Sequence, residues 1–148
     1  MAVIRITREF RFESAHALKG YDGPCRNIHG HSYELSVTVT GFPVTDENSP
    51  KLGMVMDFGD LKRLIQSNII DPLDHTLVLD SSQKGIIPAG EPFANVVFVD
   101  FQPTSENLLL DFAVRIKQLL PLGITLHHLI LRETASSFAE WFAEDQEG

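Results

Sequence analysis

The chain has 148 residues, and its 12 basic and 20 acidic side chains give a formal net charge of −8. This acidic balance disfavours a protein built mainly to bind nucleic acid, because phosphate contacts need concentrated positive charge. The length and the 43% hydrophobic content fit one domain over residues 1–148, and the lack of a long apolar stretch or a signal peptide predicts a cytoplasmic protein without membrane contact.

The first part of the chain predicts two strands. Apolar and polar residues alternate from Ile4 to Phe12 and again from about His31 to Phe42, which is the period of a strand with one buried face. Arg8 breaks the first pattern because it falls on the apolar side. The segment from Met54 to Asp57 is interpreted as a short returning strand.

A helix is predicted after Asp57, whose carboxylate can cap its N-terminus, and Pro72 ends it. Apolar residues recur along this segment at helical spacing: Phe58, Leu61, Leu64, Ile65 and Ile69. The segment 81–94 contains two glycines and two prolines, so we expect a long loop there.

The second part predicts a strand from Val96 to Phe101, a helix capped by Thr104 or Ser105, and a last strand from Ile124 to Thr134. The core face of this helix is expected to comprise Leu109, Phe112, Ile116 and Leu119, and a proline and a glycine after it stop the helix. In the acidic tail, apolar residues are expected to dock as a helical turn: Phe138, Trp141 and Phe142. This mixture of hairpins and long crossings predicts an α+β domain.

Three histidines have the spacing of a metal site. His29 and His31 are two residues apart on a predicted strand, so they share a face with backbones about 6.6 Å apart. His16 has the parity of the buried residues of the first strand, and pairing of the two strands would bring it to the same place. An isolated His-x-His pair is usually ordinary surface or core histidine, but the third histidine favours zinc with a free fourth position.

Cys25 is the only cysteine, and three interpretations of it remain open. It can be a fourth zinc ligand, which would make the site structural. It can be a general base whose thiolate is stabilised by a nearby dication and Arg26. It can also be an inert buried thiol.

Two further carboxylates are candidates for the chemistry. Asp74 precedes His75, where an aspartate can fix a histidine tautomer or share a proton path, although such pairs at helix ends are usually caps or surface groups. Glu133 shares the parity of Leu129 and Leu131, so it needs a partner if that face is buried. An N–H edge beside an amino group, as in pterin or guanine, would serve, and so would an arginine.

Five motifs then follow one another along the chain. They are Phe12-Glu13-Ser14-Ala15-His16, Cys25-Arg26-Asn27-Ile28-His29-Gly30-His31, Asp74-His75, Pro103-Thr104-Ser105-Glu106-Asn107 and Glu133-Thr134. This ordered set, which covers the chain from Arg5 to Thr134, resembles the 6-pyruvoyl-tetrahydropterin synthase family. The Cys-x-x-x-His-Gly-His spacing is most similar to the bacterial branch, the 6-carboxy-5,6,7,8-tetrahydropterin synthases of queuosine biosynthesis.

The resemblance implies a tunnelling fold with a four-stranded antiparallel sheet and two helices on one face, assembled as a homohexamer of two trimers. It implies a lyase that converts 7,8-dihydroneopterin triphosphate to 6-carboxy-5,6,7,8-tetrahydropterin and releases acetaldehyde and triphosphate. The rivals are the pyruvoyl synthase activity, without carbon–carbon cleavage, and a non-catalytic zinc protein with a His₃Cys site.

The resemblance also implies roles by position. Zinc would be held by His16, His29 and His31. Cys25 would be the base, Asp74 and His75 its relay, and Glu133 the anchor of the pterin ring. The pterin pocket would be lined by Thr104, Ser105 and Glu106, although Glu106 serves equally as a helix cap. Candidate cations for the triphosphate are Arg8, Arg11, Lys19 and Arg26. The long 81–94 loop and a 136–148 tail beyond the usual end depart from the family pattern.

Overall fold

The computed structural model describes residues 1–147, so Gly148 lies outside the described part of the chain. The strands are β1 (Ile4–His16), β2 (His29–Gly41), β3 (Thr76–Asp80), β4 (Val96–Val99), β5 (Thr125–Thr134) and β6 (Ser137–Phe142). They form one sheet in the order β4-β3-β1-β2-β5-β6. The β1–β2, β2–β5 and β5–β6 pairs are antiparallel, whereas β3 is parallel to both β1 and β4.

The sheet confirms the α+β class and corrects the expected strand count. The antiparallel strands β1, β2, β5 and β6 are extended by two short parallel strands, which gives six strands instead of four. The strand from Val96 is shorter than predicted and ends at Val99. The unpredicted β3 has five residues, and its hydrogen bonds come from pairing with the parallel strands β1 and β4, which a local pattern does not encode.

The helices begin at the predicted caps. The bounds are α1 (Phe58–Ile65), which continues through a π-helical turn (Gln66–Ile70) into α2 (Asp71–Leu73), and α3 (Ser105–Leu119). The Asp57 carboxylate accepts the Gly59 N–H at 2.6 Å, and the Thr104 hydroxyl accepts the Asn107 N–H at 3.2 Å. Each cap satisfies a helix N–H that has no partner within the helix, and therefore fixes where the helix begins.

One apolar core joins the helices to one face of the sheet. Its sheet residues include Phe10, Phe12, Tyr33, Leu35, Val37, Leu129 and Leu131, and its helical residues include Leu61, Ile65, Leu109, Phe112 and Ile116. Phe58 and Leu119, which were expected on the core faces, are 50% and 39% exposed because they lie at the helix ends. None of the helices in the described residues combines the length and apolarity needed to cross a bilayer.

Two predicted elements differ in the structure. The stretch from Met54 to Asp57 is not a strand, because hydrogen bonds between the Val44 segment and residues 53 and 54 close a loop and do not start a ladder. The tail is not a helical turn up to Phe142: it forms β6, whose Trp141 enters the core while Phe138 points outward. Burial in β6 thus has the period of two that is typical of a strand, but the acidic composition of the tail obscured this pattern in the sequence. A 3₁₀ turn (Ala143–Gln146) follows β6.

Candidate active site

The pairing of β1 with β2 assembles the three histidines. In the β1–β2 register, His16 lies directly opposite His29, and Ser14 lies opposite His31. The loop of residues 17–28 (hereafter the Cys25 loop) therefore begins and ends at two paired histidines. Because side chains two residues apart on a strand share a face, His31 joins the pair.

Three ring nitrogens and one carboxylate oxygen converge at this end of the sheet. The Nε2 atoms of His16 and His29 are 2.9 Å apart, and one ring nitrogen from each of the three histidines lies within 4.8 Å of the others. Glu133 on β5 adds an Oε1 atom at 3.4 Å from Nε2 of His16 and 3.3 Å from Nε2 of His31. The candidate pterin anchor thus borders the histidine cluster.

The hydrogen bonds of two rings determine which nitrogen carries a lone pair. Nδ1 of His16 lies 2.7 Å from the Pro103 carbonyl oxygen, and Nδ1 of His29 lies 2.7 Å from the Asn27 carbonyl oxygen. A carbonyl only accepts, so each Nδ1 donates its proton and each Nε2 presents a lone pair to the cluster. Nε2 of His31 is buried without a hydrogen-bond partner within the described residues.

The electrostatics of this arrangement suit a cation. Burial lowers the pKa of His16 and of His31 below the ordinary value, which keeps both rings neutral. Facing lone pairs and a carboxylate oxygen repel one another unless a positive charge lies between them. A donor set of three imidazoles fits a divalent metal, so His16, His29 and His31 can hold a metal ion.

A cavity adjoins the cluster on the side of Glu133. Its volume is about 360 Å³, and its lining is Ser105, Glu106, Glu133, Ser137, Phe138 and Ala139. Ser105 Oγ is buried and has no hydrogen-bond partner within residues 1–147, so a donor and acceptor is available there to a ligand. Thr104 does not line this cavity, because its hydroxyl caps α3. Ser137 and Phe138 were not predicted as lining residues, since the tail was not expected to form a strand.

Asp74 and His75 form a second cluster. Nδ1 of His75 lies 3.1 Å from Oδ1 of Asp74, and the same oxygen accepts the Glu13 N–H at 2.8 Å. That backbone hydrogen bond is the main reason why the pKa of Asp74 is lowered. His75 has a left-handed φ of 58°, and its N–H donates to the Glu13 carbonyl at 2.6 Å. A cavity of about 400 Å³ is bordered by His75 and His31.

Cys25 joins neither cluster within the described residues. It sits half-buried on a 3₁₀ turn (Pro24–Arg26), and its carbonyl accepts the Leu18 N–H at 2.9 Å. Among the described residues, its thiol is not in the group of potential metal donors, and it makes no side-chain hydrogen bond to Asp74 or His75. The described part of one chain therefore brings together the three histidines and Glu133, but it does not join Cys25 to Asp74 or His75 through a side-chain hydrogen bond.

Three of the four candidate cations differ in availability. Lys19 Nζ contacts Asp80 Oδ1 at 3.2 Å, and Arg11 pairs with Glu34 at 3.3 Å. Arg8 is eight residues before His16 on the same strand, which corresponds to about 26 Å along β1, and lies against a different cavity beside α1. Arg8 is therefore too far from the histidines of its own chain to serve the same ligand.

Comparisons with known proteins agree with these observations. A family model described as 6-pyruvoyl tetrahydropterin synthase matches residues 5–144, so most of the tail expected to lie beyond the family's end belongs to it. The chain is 34% identical over 143 residues to 6-carboxy-5,6,7,8-tetrahydropterin synthase from Haemophilus influenzae, covering 94% of this chain and 99% of that protein. It is 32% identical over 125 residues to 6-pyruvoyl tetrahydrobiopterin synthase from Homo sapiens, covering 82% and 72%.

The structural comparison leads to the same family. The 6-pyruvoyl tetrahydropterin synthase of Caenorhabditis elegans superposes with a TM-score of 0.68 at 26% identity and covers 97% of both chains. The relatives are named as tetrahydropterin synthases, which are lyases, and the chain is an enzyme of that class, similar to the 6-carboxytetrahydropterin synthases. The family model spans more than nine-tenths of the sequence, and the chain therefore belongs to the 6-pyruvoyl tetrahydropterin synthase family.

Proposed function

We propose that this enzyme uses zinc to convert 7,8-dihydroneopterin triphosphate to 6-carboxy-5,6,7,8-tetrahydropterin, with release of acetaldehyde and triphosphate. The observation that carries the proposal is the convergence of three imidazole Nε2 atoms beside the Glu133 carboxylate. The name of the Haemophilus influenzae relative supports this product. We assign the reaction to queuosine biosynthesis in the cytoplasm.

Zinc is the metal we propose because three neutral imidazoles are a typical catalytic zinc set. When bound, it would supply Lewis acidity toward the hydroxyl groups of the substrate side chain. The carbonyls of Pro103 and Asn27 hold two of the rings in the required tautomer. Such partners of ligating histidines also raise ligand basicity and orient the ring.

Glu133 and Ser105 are the proposed contacts of the pterin ring. The cavity beside the cluster is lined by Glu133 and by Ser105, whose buried hydroxyl has no hydrogen-bond partner within the described residues. A carboxylate accepts two parallel hydrogen bonds from an N–H group beside an amino group. A ring bound in this way would direct its side chain toward the histidines, because Glu133 borders both spaces.

Proton transfer is assigned to Cys25, with Asp74 and His75 as its relay. Cys25 removes a proton from the substrate side chain, and the Asp74–His75 pair, joined at 3.1 Å, exchanges protons with it. Because these groups do not meet within the described chain, we propose that they meet across a subunit boundary in a homohexamer. A second copy of the chain would then bring its Cys25 to His75, which is exposed and has a strained backbone.

The pyruvoyl synthase activity is the second candidate, since the Homo sapiens relative carries that name. A non-catalytic His₃Cys site is less well supported, because Cys25 is not among the clustered donor atoms of the described residues. Incubation of the metal-loaded enzyme with 7,8-dihydroneopterin triphosphate, followed by product identification, tests all three. Acetaldehyde with 6-carboxytetrahydropterin supports the proposal, a pyruvoyl product supports the second candidate, and no turnover refutes both enzymes.

A further inference from the structure

Gln102 immediately precedes Pro103, the residue whose carbonyl accepts from His16. Its side chain reaches toward the Cys25 loop. We propose that Gln102 is a positioning residue for the reaction, which holds the loop that carries Cys25 in fixed register with the histidine cluster. This inference rests on the proposed function, in which Cys25 is the base.

The side-chain amide of Gln102 forms a two-point clamp on the backbone of the Cys25 loop. Its Oε1 accepts the Lys19 N–H at 3.2 Å, and its Nε2 donates to the Lys19 carbonyl at 2.8 Å. Both backbone polar groups of Lys19 are thereby bound by one planar group. The clamp needs an acceptor and a donor on the same side chain. An ionised carboxylate accepts hydrogen bonds but cannot donate one, so it cannot form both contacts.

The clamp is itself anchored at the N-terminus of α3. The Gln102 carbonyl accepts the Thr104 N–H at 2.8 Å and the Asn107 side-chain amide at 3.0 Å. The next residue, Pro103, holds the His16 ring. Gln102 and Pro103 therefore hold Lys19 and His16, which are only three residues apart in the chain. This two-residue segment sets the position of the Cys25 loop relative to the first histidine.

The clamp on Lys19 restrains Cys25 through the residue that precedes Lys19. Leu18, which precedes the clamped Lys19, donates its N–H to the Cys25 carbonyl at 2.9 Å. The Lys19 side chain adds a second anchor, because Nζ contacts Asp80 Oδ1 at 3.2 Å and Ser82 Oγ at 2.8 Å. Loss of the Gln102 amide would free the backbone that positions the Cys25 thiol, while all three histidines would remain.

The test compares Gln102→Glu with Gln118→Glu, which places the same charge at an exposed position of α3. Gln102→Asn is the milder variant, because its shorter side chain keeps the amide but cannot reach both atoms of Lys19. The readouts on the metal-loaded enzyme are metal content, kcat, KM and the rate at which iodoacetamide alkylates the single cysteine. Alkylation reports the loop independently of turnover.

We expect Gln102→Glu to retain its metal and a near-normal KM, with faster alkylation of Cys25 and a kcat that is about 10- to 100-fold lower, as for a misplaced catalytic group. Gln102→Asn should change in the same direction by less, and Gln118→Glu should match the wild type. Wild-type alkylation rates in both Gln102 variants, or a raised KM with unchanged kcat, would overturn the inference. Absence of tetrahydropterin product from the wild type would instead refute the proposed function, while the alkylation rates still decide whether Gln102 holds the loop.

Discussion

The carbonyl oxygen of Pro103 lies 2.7 Å from Nδ1 of His16, although the two residues are 87 positions apart in the chain. Pro103 directly precedes the cap of α3, so the start of this helix orients a ring on β1. The same helix begins with Ser105, which lines the cavity beside Glu133 and whose buried hydroxyl has no hydrogen-bond partner within residues 1–147. The helix N-terminus therefore connects the proposed metal ligands to the proposed ring pocket.

Removal of one histidine should abolish metal binding and turnover together. His31→Ala leaves two imidazoles, and we expect zinc affinity to fall by at least about 100-fold, since loss of even an outer-shell partner costs 10- to 100-fold. Metal analysis after dialysis and a product assay measure the two effects. His127→Ala, a histidine outside the cluster, is the matched control. Retention of one zinc per chain in His31→Ala would contradict the assignment.

Replacement of Cys25 should separate metal binding from catalysis. Cys25→Ala is expected to keep its zinc and lose turnover by about 100-fold or more, because general acid–base groups contribute 10²- to 10⁴-fold. Zinc content and product formation are measured on the same preparation. Loss of zinc from this variant would indicate a fourth, structural ligand and would favour the non-catalytic interpretation.

The charge of Glu133 should matter more for the pterin ring than for the metal. Glu133→Gln keeps the shape of the side chain and removes the carboxylate that would pair with the ring, and charge-assisted hydrogen bonds are roughly twice as strong as neutral ones. We expect weaker binding of a pterin, followed by its fluorescence, with zinc still bound. Glu144→Gln, at an exposed position after β6, should bind the pterin normally. Equal binding by both variants would remove Glu133 from the pocket.

The spacing of the motifs predicted the part of the site that depends on local geometry. The two-residue separation of His29 and His31, together with the parity of His16, sufficed to predict their meeting, because strand pairing converts parity into proximity. The helix caps at Asp57 and Thr104 could likewise be predicted, because each side chain accepts a hydrogen bond from a backbone N–H only two or three residues away.

The rest depends on contacts that no local pattern encodes. The Pro103 carbonyl and the Gln102 amide act on residues more than 80 positions away, and any residue type supplies a carbonyl. The short strands β3 and β4 gain their hydrogen bonds from parallel neighbours distant in sequence. The expectation that the tail forms a helical turn was wrong for a similar reason, because β6 is stabilised by pairing with β5.

The strand β6 should contribute measurably to stability. Trp141 is 5% exposed and packs in the core, whereas Phe138 on the same strand is 51% exposed. Trp141→Ala should lower the free energy of unfolding by about 3–5 kcal/mol, the usual cost of emptying a large aromatic site. Phe138→Ala should cost far less. Urea titrations of both variants measure the difference, and similar losses would indicate that the packing of β6 is misassigned.

The carboxylate of Asp57 should make stability depend on pH in the acid range. Its pKa is lowered from 3.8, first by the hydrogen bond from Lys51 at 2.7 Å and then by the Gly59 N–H. A carboxylate with a lowered folded-state pKa adds stability above its unfolded value, and that stability is lost as the pH falls through the folded value. Asp57→Asn keeps an N-cap side chain without the charge, so its melting temperature should lie below that of the wild type at neutral pH. The gap should begin to narrow below about pH 4, where the unfolded-state carboxyl becomes protonated, and it should close as the pH falls through the lower folded-state pKa. Melting curves between pH 3 and pH 7 test this, and a gap that persists unchanged at the acid end would show that the carboxylate charge is not its cause.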